Sequence, residues 1–156
     1  MKLAFALLLA CSKPAPPSGA LVNTPALDDF RSVEKTTLQT FNDALARQRA
    51  NTIDELGLAE AIDHDVLPPW RDLRARVTGV TGASIPDADR DLFITLGRYL
   101  AERQTSWEAY SAALRSHDDA SAQPHYAKYH EQNDAASADA KRLGEAFRSL
   151  SRPPAP

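Results

Sequence analysis

Apolar residues recur every three or four positions along four long stretches of this chain, and that spacing constrains its fold more than any other feature. A period near 3.6 marks one buried face of an α-helix. The first stretch carries Leu27, Phe30, Val33, Leu38, Phe41 and Leu45 and runs to about Gln48. The second carries Ile53, Leu56, Leu58, Ile62, Val66, Trp70, Leu73 and Val77. The third carries Leu92, Leu96, Tyr99, Leu100, Trp107, Tyr110 and Leu114 and ends near His117. The fourth, from about Pro124 to Leu150, carries Tyr126, Tyr129, Ala136, Ala140, Leu143, Phe147 and Leu150. No apolar–polar alternation is long enough for a sheet, and no repeat of fixed period suggests a solenoid. Four amphipathic helices of roughly 20–30 residues with short connections predict an all-α, antiparallel up-down-up-down four-helix bundle over residues 24–150.

Local signals set the expected boundaries. Thr24-Pro25 reads as an N-cap followed by proline at the first helical position, with Asp28 and Asp29 placed to complement the helix dipole. Asn51-Thr52 reads as the cap of the second helix. Pro68-Pro69 should break that helix into pieces of about 52–66 and 69–78, because proline lacks the N–H and disfavours helical geometry in the residue before it. Gly79 to Gly82 reads as a C-cap and loop, Ser84 to Asp87 as the opening of the third helix, and 117–124 as a polar loop. The tail 151–156, rich in proline, is expected to be disordered.

Charge and cysteine content remove several function classes. The formal net charge is −3, and −4 without Lys2, so nothing electrostatic favours nucleic acid or an anionic surface as partner. A single cysteine, Cys11, rules out an intramolecular disulfide, a zinc ribbon and a Cys-x-x-Cys-His haem site. None of the four histidines has Glu three residues before it, as a di-iron bundle needs. Met1 is the only methionine, which leaves no Met/His haem pair. Asp87-x-Asp89-x-Asp91 begins like a calcium loop, but Leu92 stands where the loop needs Gly and Arg98 where it needs Glu. His117, Asp118, Asp119, His125 and His130 gather around one turn, and His130 and Asp134 share the i,i+4 spacing. The solvated-turn reading of this group outweighs a zinc or copper site, since His125 and His130 face different ways. There is no Gly-x-Ser-x-Gly and no phosphate-cradling glycine loop. Glu60 and His64 form only an ordinary helical pair. The chain is therefore expected to have no catalytic, cofactor-binding or metal-ligating residues.

Three residues stand out as a candidate buried polar group. Arg103 falls on or beside the apolar stripe of the third helix, and Asn133 sits between Tyr129 and Ala136 on the fourth. A buried Arg needs a carboxylate or several carbonyls, and Glu34, near the middle of the first helix, is a candidate. Three outcomes stay open: an internal polar pocket, a buried network that fixes helix register, or Arg103 snorkelling to the rim.

The N-terminus bears on location. Lys2 precedes an apolar run from Leu3, and Leu8-Leu9-Ala10-Cys11 closes it with a small residue before the cysteine. Lys13 to Gly19 then carries three prolines, an extended spacer that no helix accommodates. This stretch resembles the lipobox of bacterial lipoproteins. The resemblance implies a signal peptide over residues 1–10, a lipid attached to Cys11, and a tether over 11–23. It covers only residues 1–11 and extends to no part of the helical region. In the Gram-negative members of that class, a residue other than Asp after the cysteine goes with outer-membrane sorting, and here that residue is Ser12. The expected function is that of a non-catalytic interaction module, lipid-anchored in the bacterial cell envelope and serving an envelope protein partner. The competing expectation is a periplasm-facing carrier of a small ligand or metal, using the bundle interior or the His-rich turn.

Overall fold

The computed structural model describes residues 25–79, 85 and 87–150. The proposed signal, Cys11 and its tether, Thr24, residues 80–84 and 86, on which most of the expected loop and the expected start of the third helix fall, and the tail 151–156 lie outside the described residues. Five α-helices follow in order: α1 (Pro25–Arg49), α2 (Glu55–Ala61), α3 (Leu67–Thr78), α4 (Arg90–Leu114) and α5 (Asp119–Leu150). A π-helical turn, Ile62–Val66, joins α2 to α3, so the two make one long segment and the described residues form four. No strand occurs among the described residues.

The turn at Ile62–Val66 is where the double proline acts. Pro68 and Pro69 occupy the first turn of α3, directly after this turn. The amide of Leu67 donates to Ile62 O, a bond one residue wider than the α-helical one. The chain thus stays helical through the expected break, and the second piece begins at Leu67 instead of residue 69. The wider turn places Ile62, Val66 and Leu67 inside together, with both prolines exposed.

Other boundaries also differ from the sequence expectation. Asn51, at φ 54°, and Thr52 close α1; the Thr52 amide and hydroxyl both donate to Arg47 O, each at 2.9 Å. The cap of α2 is Asp54, whose Oδ1 accepts from the Gly57 amide at 2.8 Å. A Cβ at Gly57 would lie 3.1 Å from Ile53 Cβ, so the close entry of the chain into α2 favours glycine there. A 3₁₀ turn, Asp87–Asp89, precedes α4, which ends at Leu114, short of His117. The expected loop 117–124 is mostly helix. Asp118 accepts from the Ser121 amide at 2.7 Å and opens α5 at Asp119, and Pro124 lies inside the helix, in its second turn. That amide bond holds the Asp118 carboxyl below its ordinary pKa.

The core is centred on aromatic residues of α3 and α4. Trp70 and Trp107 pack edge to face with centroids 5.0 Å apart, and Trp70 meets Tyr99 at 5.7 Å. Phe30 and Phe41 on α1 close this cluster, against Tyr99 at 6.1 Å and Trp107 at 5.5 Å. The buried indole N–H of Trp70 donates to Leu100 O at 2.9 Å, which satisfies the one polar atom the ring brings inside. α4 packs along α5 and against α2, α3 and the π turn, whereas α1 packs on α2, α3 and the π turn.

Candidate functional site

The polar groups of the interior line up on α4, because residues three and four apart share one face of a helix. Arg103 is half-buried there. Its Nη1 donates to Asn133 Oδ1 on α5 at 2.6 Å, and its guanidinium carbon lies 5.8 Å from the Tyr99 ring centre and 5.9 Å from that of Trp107. Its Nε is buried and has no hydrogen-bond partner among the described residues. Glu34 on α1 makes no ion pair with Arg103. Instead its Oε1 accepts from the Tyr99 hydroxyl at 2.5 Å.

Tyr99 thus separates Glu34 from Arg103, and the three expected residues belong to one chain of polar groups that crosses from α1 through α4 to α5. Burial pushes the Glu34 carboxyl above its ordinary pKa, against the opposing pull of the Tyr99 hydrogen bond and the Arg103 charge. Burial also raises the Tyr99 phenol far above its ordinary value, so it remains a donor.

A second cluster, absent from the sequence reading, joins α4 to α5. Asp139 is 2% exposed, and Arg98 donates to both of its oxygens through Nε and Nη2. Arg142 adds a third bond at 3.1 Å. The Arg98 hydrogen bonds hold the Asp139 carboxyl below its ordinary pKa. Glu102 stands 3.8 Å from Arg98 Nε, a guanidinium already engaged by Asp139. Its Oε2 is buried with no hydrogen-bond partner among the described residues, and burial raises its pKa. One signal pointed to Asp139: its neighbours Ala136, Ala140 and Leu143 belong to the inner stripe of α5, so a carboxylate between them required a partner.

The other sequence candidates are not brought together. Among the described residues no group of three or more His, Cys, Asp or Glu side chains could hold a metal ion. His117, Asp118, Asp119 and His130 are exposed, and the His130 ring lies 5.0 Å from that of Tyr129. Glu60 and His64 are both exposed. Asp87 pairs with Arg90 at 2.5 Å, and Asp89 is buried while Asp91 is exposed.

Two pockets border the polar groups. One of about 320 Å³ lies between the start of α4 and the last turns of α5, lined by Asp89, Asp91, Thr95, Arg142 and Ser149 among others. The other, about 120 Å³, lies between α1 and α5 and is lined by Phe30, Arg31, Glu34, Leu143 and Phe147 among others. No helix among the described residues is long and apolar enough to cross a membrane. No family model matches the chain, and neither does any curated protein or solved structure.

Proposed function

We propose that this chain is a lipid-anchored protein of the bacterial cell envelope whose helical domain works as a non-catalytic interaction module. The observation that carries this reading is Leu8-Leu9-Ala10-Cys11 followed directly by a proline-rich spacer. Cys11 takes the lipid, residues 1–10 are removed, and residues 11–23 hold the domain away from the bilayer. In a cell with two membranes, Ser12 directs the protein to the outer one. We further infer that the four helical segments run antiparallel, up-down-up-down, a reading supported by the short connectors 50–54 and 115–118. The non-catalytic part rests on the sequence, which carries no Gly-x-Ser-x-Gly and no phosphate-cradling glycine loop. The test is cell fractionation. Wild-type protein belongs in the membrane pellet, and Cys11→Ser should leave it or accumulate with its leader uncleaved. A Cys11→Ser variant that sediments and is processed like the wild type overturns the reading.

A further inference from the structure

The pocket between α1 and α5 brings one acidic and one basic side chain to a small apolar cleft. Its volume of about 120 Å³ is that of roughly four water molecules, room for the small end of a ligand and not for a drug-sized one. Phe30, Leu143 and Phe147 give it apolar walls, and Glu34 is its one acidic lining residue. The Glu34 carboxylate takes the Tyr99 hydroxyl on Oε1, which leaves most of its acceptor capacity unused. Arg31, one turn earlier on α1, does not pair with it. Its guanidinium lies over the Phe147 ring, 5.2 Å from the centre. On α5, Arg148 Nη1 lies 3.7 Å from where a Cβ at Gly144 would sit, and Gly144 is also part of the lining.

We propose that this pocket binds a small zwitterion of the aminoethyl phosphate type, with its ammonium on Glu34 and its anionic group between Arg31 and Arg148. A short N–C–C–O stem fits inside that volume, and the phosphate then lies at the mouth. Each charge in the pocket gains a partner in this arrangement. A plain anion could sit between Arg31 and Arg148 but would leave the Glu34 carboxylate without a cation. A neutral alkyl ligand would strip solvent from a carboxylate whose charged form burial already disfavours. An ammonium paired with the carboxylate offsets that penalty. This site goes beyond the anchored-module reading and does not depend on Cys11.

The test is an NMR titration of the purified full chain with O-phosphoethanolamine, ethanolamine and methyl phosphate at constant ionic strength. O-Phosphoethanolamine should shift the Phe30, Leu143 and Phe147 signals saturably, with half-saturation in the millimolar range. Ethanolamine should bind about tenfold more weakly, and methyl phosphate weaker still. Glu34→Gln should cost tenfold or more for both amines, with the fold checked by tryptophan fluorescence. Arg31→Met with Arg148→Met should weaken O-phosphoethanolamine but leave ethanolamine unchanged. Vesicles with ethanolamine headgroups, compared with choline headgroups, identify the source as lipid if the Cys11→Ser chain prefers the former, and as a free solute if it does not. No saturable shift below 100 mM, equal binding of methyl phosphate, or unchanged binding by Glu34→Gln overturns the proposal.

Discussion

Replacing Arg103 with Met separates a register-fixing hydrogen bond from a buried ion pair. The substitution removes a charged donor bonded to Asn133 Oδ1 at 2.6 Å, which for a half-buried group contributes about 1.5 kcal/mol. It also removes two guanidinium–ring contacts near 6 Å, about 0.5 kcal/mol each. Met keeps much of the stem's apolar contact, places sulfur near the Tyr99 and Trp107 rings, and eliminates the buried Nε that lacks a partner, together returning about 1 kcal/mol. The net loss should be about 1.5 kcal/mol, a fall in Tm of roughly 3–6 °C for a chain of this size. Denaturant unfolding of the single mutants Arg103→Met, Asn133→Ala and Glu34→Gln and of their pairs measures it. Arg103 and Asn133 should couple by about 1 kcal/mol, and Arg103 and Glu34 by less than about 0.5, since Tyr99 stands between them. A loss of 3–5 kcal/mol with strong coupling to Glu34 would mean a stranded ion pair and refute this account. A loss near zero would mean Arg103 merely snorkels.

Replacing Pro68 and Pro69 with Ala restores two amides and lets the π turn relax to an α-helix. That relaxation rotates Trp70 by about 100° and breaks its bond to Leu100 O, so stability should fall by about 1–2 kcal/mol with a red shift in tryptophan emission; a raised Tm would show the turn is incidental. Asp139→Asn should cost about 1–3 kcal/mol at pH 7, moderated because Arg98 is half-exposed. The Asp139 carboxyl sits below its ordinary pKa, so its stabilisation is full above about pH 4 and is lost as the pH falls through the folded-state value. The gap between Asp139→Asn and wild type should therefore close in acid, and a constant gap from pH 7 to 3 would contradict this. Glu102 has the opposite sign: burial raises its pKa, so its ionisation above the ordinary glutamate value weakens the fold, and Glu102→Gln should be neutral or stabilising at pH 7 when unfolding midpoints are compared.

The apolar stripes made the helices readable, since Trp70, Leu100, Trp107 and Leu143 all recur at helical spacing and are all buried. Arg103 and Asn133 were legible together because each interrupts such a stripe, and a polar residue there must meet another. The partner of Glu34 was not legible. Tyr99 reads as a core aromatic from its ring, and the reach of its hydroxyl depends on how α1 and α4 are set against each other. Periodicity says nothing of that register between helices. The Asp139–Arg98 pairing was hidden for the same reason, as it spans two helices. The start of α5 was misjudged because Asp118, Asp119 and Pro124 all favour loops. An aspartate side chain also caps helices, and composition alone does not separate a capping Asp118 from a loop residue; Pro124 lies inside the helix against its ordinary preference.

Mass spectrometry of the protein isolated from membranes of its native host tests the central claim most directly. The lipid-anchored reading expects residues 1–10 to be absent and the first residue to be Cys11 carrying a thioether-linked diacylglycerol, within the N-terminal peptide of the digest. An unmodified peptide spanning Leu9 to Lys13 would contradict it.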